Sequence, residues 1–334
     1  MRRSLSLVLA ITAALLASCS LTLFNYSDAG SKRYALVYGV TEYIVPPTAA
    51  GANDPNLGFP ASDAAAVAIM LKQENYIVSS RWVDAAGEEY VNGADTATNI
   101  ATNTGASPNI TNISNDITTL AGTVGPNDLV VFYFSGHGMQ DSYNPPNEYF
   151  VPSGGVYYDS GTNYYYGNPA ASVSQNQFAS MLSVLNTKRK VVILDTCNSG
   201  GFIGNTLEAD SIPTASSGSA GGVSPQTLAQ ALSNYVNFPS TTDGLSPYGG
   251  AMVLSAAGRD ESCYEASSPY NHGVMTYYFL MAQQQGDLNR DGHVTVSEAF
   301  SLVKAGIDTG WNPGNPGLAF EPRISGGPID FVLW

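Results

Sequence analysis

The sequence has few basic residues. Its 334 residues include 13 Lys and Arg against 27 Asp and Glu, which gives a formal net charge of −14. A chain so short of cations lacks the charge that binds phosphate backbones, so nucleic acid is excluded as a partner. Only 12% of the residues are charged, whereas 44% are hydrophobic. That hydrophobic content is enough for the core of one large α/β domain or two small ones.

The apolar run at the N-terminus, residues 5–16, is too short for a membrane-spanning helix. It follows Arg2 and Arg3 and ends in small residues, a pattern that is typical of a signal peptide. Residues 16–19 (LASC) then resemble a bacterial lipobox, in which the peptide is cut before Cys19 and the Cys19 thiol carries a lipid. The alternative is an ordinary signal peptide followed by a chance cysteine.

The lipobox resemblance divides the N-terminus and implies a location. We expect a lipoprotein signal peptide at residues 1–18 and a short tether at residues 19–31. The protein is then expected in the bacterial cell envelope, held by its lipid at the outer membrane or on the periplasmic face.

Two short strings carry the candidate reactive residues. Residues 131–138 (VFYFSGHG) and 191–200 (VVILDTCNSG) are each an apolar run that stops at small residues with one reactive side chain. Such runs are typical of buried parallel strands, and site residues follow the carboxyl ends of these strands. If the two strands are neighbours, His137 and Cys197 face each other over one crevice. A cysteine nucleophile and its base need that arrangement.

Either residue alone would be weak support for a site, since a buried cysteine is usually a small hydrophobe. Two such residues, each at the carboxyl end of a strand, favour catalysis over chance. The working nucleophile is the thiolate, which an adjacent imidazole can generate. Glycines on both sides of His137 let the backbone turn sharply and let a substrate approach.

The two strings resemble the motifs of the caspase and metacaspase superfamily of cysteine peptidases. Residues 135–138 are similar to its histidine motif and residues 195–200 to its cysteine motif, in the same order. The similarity extends from about residue 32 to the C-terminus. Further matching segments are the first strand, the start of the first helix, the strand beyond the cysteine and the start of a later helix, at 34–40, 59–64, 253–257 and 273–276. Asn198 departs from the pattern, because bacterial relatives often carry His there.

The resemblance implies an α/β fold over residues 32–334, a caspase-like three-layer sandwich whose mostly parallel central sheet has helices on both faces. The alternation of strand and helix patterns along the chain indicates the same architecture. Ser62 is expected to cap the first helix, which then runs to Lys72. We expect six strands, at residues 34–40, 76–83, 128–134, 190–194, 250–256 and 329–333.

The resemblance also implies roles for residues around His137 and Cys197, which form the catalytic dyad of the family. The backbone N–H groups of Gly138 and Cys197 would form the oxyanion hole. Asp63 and Asp195 match positions where metacaspases carry the acidic floor of the P1 pocket, which binds the residue before the scissile bond. Two carboxylates there favour Arg or Lys by ion pairing and bidentate hydrogen bonds. An Asp-specific peptidase would need a cation instead, and Arg259 is the candidate.

The linker after the cysteine strand bears on maturation, because caspases are cut there. Residues 201–250 contain no Lys or Arg, so an Arg/Lys-specific enzyme could not cut itself in this segment. We expect a single uncut chain that acts as a monomer.

Residues 287–298 (DLNRDGHVTVSE) match the 12-residue EF-hand calcium loop. Gly292 occupies position 6 and Val294 the apolar position 8. The alternative is an Asp-Gly turn between two helices. Ca²⁺ is therefore the expected cofactor, as a structural clamp or a gate of activity. Its oxygen ligands would come from five side chains and the backbone carbonyl of His293: Asp287, Asn289, Asp291, Thr295 and Glu298.

Together these patterns predict a lipid-anchored cysteine endopeptidase of the cell envelope, which uses a Cys–His dyad on protein or peptide substrates and cuts after Arg or Lys. The alternatives are a catalytically weak calcium-dependent binding protein on the same scaffold, an Asp-specific peptidase, and an esterase or other acyl transferase. We expect Cys197 and Cys263 to stay unpaired, because a disulfide would disable the nucleophile. Cys263 is expected in a loop near the pocket, which leaves redox silencing open.

Overall fold

A seven-stranded sheet forms the centre of the structure, a computed structural model. The structure describes residues 30–44, 49–91, 107–141, 147–197, 251–258, 261–325 and 330–334. The expected signal peptide, Cys19, the linker at 201–250 and Arg259 lie outside these residues. None of the described helices has both the length and the apolar character needed to cross a membrane.

The described strands are numbered here in chain order. They are β1 Arg33–Val40, β2 Ile77–Val83, β3 Glu89–Val91, β4 Leu129–Ser135, β5 Gly138–Gln140, β6 Glu148–Phe150, β7 Val156–Asp159, β8 Tyr164–Gly167, β9 Val173–Ser174, β10 Arg189–Asp195, β11 Met252–Ser255, β12 Glu265–Ala266, β13 His272–Gly273 and β14 Arg323–Ser325. The described α-helices are α1 Pro60–Gln73, α2 Ile110–Ala121, α3 Gln175–Ser183, α4 Val274–Gln285 and α5 Val296–Gly306.

The strand order in the central sheet is β14-β11-β10-β4-β1-β2-β3. The five strands from β11 to β2 run parallel, and the two edge strands β3 and β14 run antiparallel to their neighbours. The smaller sheets lie outside this core: β5, β6 and β9 form one, β7 and β8 a hairpin, and β12 and β13 a short ribbon.

Successive side chains of the central strands point alternately into two hydrophobic cores, one on each face of the sheet. In β4, Val131 and Tyr133 face the core that α1, α4 and α5 cover, while Phe132 and Phe134 face the core under α2 and α3. A strand that is buried on both faces must be apolar at consecutive positions. The three-layer α/β sandwich predicted from the sequence is confirmed.

The start of the first helix differs from the prediction. Ser62 was expected at the N-cap, but α1 begins two residues earlier at Pro60, and the Ser62 hydroxyl donates to the carbonyl of Phe59 over 2.7 Å. Proline suits the first helical position because its φ is already set and it has no N–H to satisfy.

The strand predicted at residues 329–333 is also wrong. In the described part of this segment, Val332 makes only an isolated bridge to Thr295, and the edge strand of the sheet is β14 instead. Leu333 and Trp334 are buried, and the Trp334 ring meets Phe279 of α4 edge-on. A run of apolar residues indicates that a segment is buried, but it does not show whether the segment packs beside a helix or joins a sheet.

The glycine at position 39 allows α1 to lie against β1. A Cβ at Gly39 would come 2.2 Å from the Pro60 carbonyl oxygen and 2.8 Å from the Ala64 Cβ. We therefore expect Gly39→Ala to destabilise the fold by about 1–3 kcal/mol, the usual cost of overpacking. Thermal or denaturant unfolding measures the effect. Gly314→Ala is the matched control, since no heavy atom lies within 4 Å of its Cβ position. Equal stability of the two variants would contradict this packing.

Candidate active site

The pairing of β4 with β10 brings the two sequence motifs together. The strands are parallel neighbours, and Ser135 lies opposite Asp195. His137 and Cys197 each follow two residues later, so both leave the sheet at the same edge. They line one cavity of about 410 Å³. The neighbouring strands that the sequence analysis required are therefore present.

Close backbone contact joins the two motifs beyond the strand ends. A Cβ at Gly138 would lie 1.7 Å from the carbonyl oxygen of Cys197, so only glycine fits at this position. The backbones of Gly138 and Cys197, from which the resemblance takes the two oxyanion-hole donors, are thus in direct contact.

Two segments outside the motifs hold His137. Its Nε2 lies 2.6 Å from the carbonyl oxygen of Pro55, and its backbone N–H donates to the Tyr43 hydroxyl over 2.8 Å. The Tyr43 hydroxyl donates in turn to the carbonyl of Val151, and its ring lies 4.8 Å from the imidazole centre. A carbonyl only accepts, so Nε2 carries the proton and Nδ1 keeps a free lone pair. Sequence reasoning missed Pro55 and Tyr43, because neither lies near a motif.

The imidazole of His137 is neutral near neutral pH. Burial lowers its pKa to about 4, and the bond to the Pro55 carbonyl offsets only part of that effect. A neutral imidazole with a free Nδ1 can accept a proton from a thiol. The geometry therefore suits a general base better than a standing imidazolium–thiolate ion pair.

Cys197 is buried, and its sulfur faces Cys263. The two Sγ atoms are 3.6 Å apart, and Cys197 Sγ lies 3.5 Å from the Cys263 carbonyl oxygen. Both cysteines are free thiols. The hydrogen bond with Cys197, together with burial, raises the pKa of the Cys263 thiol well above its ordinary value. Cys263 lies on the cavity wall.

Asp195 is buried at the floor of the cavity, where one of its oxygens accepts two hydrogen bonds from Thr276. The Thr276 N–H lies 3.0 Å from Oδ2 and the Thr276 hydroxyl 2.6 Å from the same atom. Burial raises the pKa of Asp195 to about 7, and the charge of Asp63 adds to this shift.

Asp63 is the second floor carboxylate, 1% exposed. It accepts hydrogen bonds from the Ser135 hydroxyl at 3.0 Å and from the Gly273 N–H. Gly273 lies against both carboxylates, and a Cβ there would come 2.4 Å from an oxygen of Asp195. Burial raises the pKa of Asp63 too, and the hydrogen bonds from His272, Gly273 and Ser135 offset only part of that effect.

Two further titratable groups belong to this acidic site. His272 lies in β13, and its Nδ1 is 2.7 Å from Asp63 Oδ1. Glu265 lines the cavity and accepts the N–H groups of Gly58 and Phe59 at 2.6 and 3.0 Å. Burial raises the pKa of Glu265. Both come from a ribbon with no local motif, so the sequence held no signal for them.

The predicted calcium loop lies between two helices, since α4 ends at Gln285 and α5 begins at Val296. Arg290 and Gly292 have φ angles of 64° and 87°, which give the loop its tight turns. Asp287 accepts the N–H groups of Asp291 at 3.1 Å and of Gly292 at 3.0 Å.

The side chains of this loop bind its own backbone. Glu298 and Thr295 form a reciprocal capping box at the start of α5. Within the described residues, no three His, Cys, Asp or Glu side chains converge closely enough to hold a metal. The backbone therefore fits a calcium loop, whereas the carboxylates would have to turn from these N–H groups toward an ion.

A parallel α/β sheet with a histidine and a cysteine after adjacent strands defines a caspase-like cysteine peptidase architecture. The family model for the caspase domain, Peptidase_C14, matches residues 32–309, and the chain belongs to this family.

Solved structures agree on the fold. One similar structure is the crystal structure of protein GSU0716 from Geobacter sulfurreducens, which is 12% identical with a TM-score of 0.50. The match covers 88% of this chain and 92% of that one, and at this identity it bears on the fold alone. No curated protein matches the chain.

The raised pKa of Asp195 predicts a pH-dependent stability effect. The folded protein binds this proton more tightly than the unfolded chain, so the carboxyl costs stability as the pH rises from about 4 to about 7. Asp195→Asn stays neutral. We expect its Tm to exceed the wild-type value by several degrees at pH 8 and the difference to shrink toward pH 4, as measured by calorimetry. Asp308→Asn, at a half-exposed carboxylate, is the control. A difference that does not vary with pH would contradict the raised pKa.

Proposed function

We propose that this chain is a cysteine endopeptidase that acts on proteins or peptides, with Cys197 as nucleophile and His137 as base. The observation that carries the proposal is the register of β4 and β10, which opens both residues to one cavity. In the proposed mechanism, Cys197 Sγ attacks the scissile carbonyl carbon while Nδ1 of His137 takes the thiol proton. His137 then protonates the leaving amine, and water releases the acyl-enzyme.

Two features of the site support this sequence of steps. The bond from Nε2 to the Pro55 carbonyl fixes the tautomer in which Nδ1 is the free base. The touching backbones of Gly138 and Cys197 would present their N–H groups to the oxyanion that forms on the substrate.

The cavity charge supports cleavage after Arg or Lys. Asp63, Asp195 and Glu265 line the cavity, and none of its described lining residues is Lys or Arg. A basic side chain would hold both floor carboxylates in their ionised form and gain charge-assisted hydrogen bonds. Asp specificity would require a cation such as Arg259, which lies outside the described residues.

The proposal includes the location and state of the chain. Cys19 would carry a lipid that holds the peptidase at the cell envelope, as the lipobox-like sequence at 16–19 implies. The enzyme would work as an uncut monomer, because the segment at 201–250 offers no Lys or Arg to an enzyme of this specificity.

A calcium ion at the loop of residues 287–298 would act as a structural clamp. The N–H of Val294 donates to the carbonyl of Trp334 over 2.6 Å, and the N–H of Leu333 donates to the Val294 carbonyl over 2.8 Å. The loop is thus tied to a buried C-terminal segment. A bound ion would offset the charges of Asp287, Asp291 and Glu298 and stiffen this connection.

The nucleophile is tested with Cys197→Ala and a panel of fluorogenic peptides that carry Arg, Lys, Ala or Asp before the scissile bond. We expect turnover of the Arg and Lys peptides by the wild type, and a loss of at least about a thousandfold in the variant. The variant should keep the wild-type Tm within a few degrees, which separates lost chemistry from lost folding.

The same panel tests the pocket. Asp63→Asn should lower kcat/KM for the Arg peptide by roughly a hundredfold, since it removes one charge-assisted partner, and should change the Ala peptide little. Retained turnover in Cys197→Ala would overturn the nucleophile. Fastest cleavage after Asp would overturn the basic specificity while leaving the peptidase assignment intact.

Calcium binding predicts a rise in Tm. A ligand at about one hundred times its Kd stabilises the folded state by about 2.7 kcal/mol. We expect the Tm to rise with CaCl₂ and to return to its starting value with a chelator, with no comparable effect of equal MgCl₂. In Glu298→Gln, which lacks the carboxylate at position 12, the rise should largely disappear. A wild-type Tm that does not respond to calcium would contradict the site.

A further inference from the structure

Two thiols from distant parts of the chain meet inside the cavity. Cys197 follows β10, and Cys263 precedes β12, yet their sulfurs are 3.6 Å apart. A second contact, from Cys197 Sγ to the Cys263 carbonyl oxygen at 3.5 Å, fixes their mutual orientation. The only other cysteine in the sequence is Cys19. The catalytic candidate therefore has a second thiol in contact, for which the proposed peptide cleavage has no use.

From this contact we infer that Cys197 and Cys263 form a reversible disulfide that masks the nucleophile under oxidising conditions. The sulfurs would have to approach by roughly 1.5 Å to reach the 2.05 Å of a disulfide, and rotation about the two Cα–Cβ bonds supplies movement on that scale. The bond itself does not depend on peptidase activity. Its consequence, a redox control of cleavage, rests on the proposed function.

The environment decides which sulfur reacts first. Cys263 holds its proton because the hydrogen bond with Cys197, burial and the nearby charges of Asp195 and Glu265 all raise its pKa. Cys197 has the cavity base, His137, to take its proton. The attacking thiolate in an exchange reaction is therefore Cys197, and Cys263 is the resolving thiol.

The oxidant is an external disulfide, such as oxidised glutathione or a disulfide-bonded oxidoreductase. His137 takes the proton of Cys197 as Sγ attacks one sulfur of this disulfide and breaks its S–S bond. The leaving thiolate takes up that proton and departs as the first thiol, and a mixed disulfide remains at Cys197. Cys263 then loses its proton to solvent and attacks Cys197 Sγ, which expels the second thiol. Overall, two protein thiols are oxidised to one disulfide, and the external disulfide is reduced to two thiols. Excess dithiol reverses both steps.

The bond would lie where a substrate must bind. Both sulfurs belong to the wall of the 410 Å³ cavity that also contains His137 and the two floor carboxylates. Oxidation would convert the nucleophilic thiol into an unreactive disulfide sulfur and place a covalent bridge between the turn after β10 and the segment before β12. Reduction would restore the free thiol without any cut in the chain.

The experiment uses the full-length protein, equilibrated in buffers of stepped oxidised-to-reduced glutathione ratio and then treated with iodoacetamide. Intact mass gives the number of alkylated thiols, and a non-reducing peptide map identifies the linked pair. We expect a Cys197–Cys263 peptide to appear as the ratio rises and to disappear with dithiothreitol. Alkylation of both residues should fall together.

Cys263→Ser is the matched variant, since it keeps a small polar side chain but cannot close the bridge. It should keep an alkylatable Cys197, or carry only a glutathione adduct there, at every ratio. With the Arg peptide, oxidised wild type should lose at least about tenfold in rate and recover with dithiothreitol. The rate of Cys263→Ser is compared with its own value after dithiothreitol, so that any effect of the substitution on the pocket cancels; a rate that falls only as the glutathione adduct at Cys197 forms is expected.

The outcomes separate the two claims. Absence of the Cys197–Cys263 peptide at all ratios, or a bridge through Cys19 instead, would overturn the disulfide. If the linked peptide forms but the fully reduced protein cleaves no substrate, the disulfide stands and the peptidase proposal fails. If the reduced protein is active and no linked peptide forms, only the disulfide fails.

Discussion

The parallel pairing of β4 with β10 is the constraint on which the site depends. Its register places Ser135 opposite Asp195, so the two motifs emerge at one level of the sheet edge. Core packing fixes that register, because both strands send alternate residues into two different hydrophobic cores. A slip of one residue would exchange the faces of every side chain in β4, Tyr133 with Phe134 for example. The proximity of His137 and Cys197 is therefore a consequence of how apolar side chains fill the two layers.

The cavity floor shows how the fold accommodates buried carboxylates. Isolated charges in a protein interior are strongly disfavoured unless hydrogen bonds or protonation offset their lost hydration. Asp195 has two bonds from Thr276, and Asp63 has partners on two separate segments, Ser135 of β4 and both His272 and Gly273 of β13. These bonds only partly offset burial, because the pKa of each floor carboxyl remains raised. A cation bound beside Asp63 and Asp195 would therefore favour the ionised form of both carboxyl groups.

The sequence predicted the layers of the fold and the neighbouring strands that carry the two motifs, for a physical reason. Strands buried on both faces leave continuous apolar runs, and β4 and β10 are such runs that end at small residues. The same reasoning failed for the C-terminal segment, where it predicted a strand at residues 329–333. Leu333 and Trp334 are buried there without joining the sheet. Pro55, Glu265 and His272 could not be predicted as site residues. Their roles depend on contacts between segments that are far apart in the chain, and a local sequence pattern does not indicate such contacts.

The acidic floor also bears on how a thiol in this cavity can ionise. The hydrogen bond with Cys197 and burial raise the pKa of the Cys263 thiol, and the nearby charges of Asp195 and Glu265 add to this shift. Beside these negative charges, removal of the thiol proton by neutral His137 during the attack is more favourable than a thiolate formed before the substrate binds. In the proposed mechanism, a basic substrate side chain on the floor would offset those charges and lower the cost of forming the thiolate. The groups that select the substrate would then also couple its binding to activation of Cys197 for peptide cleavage.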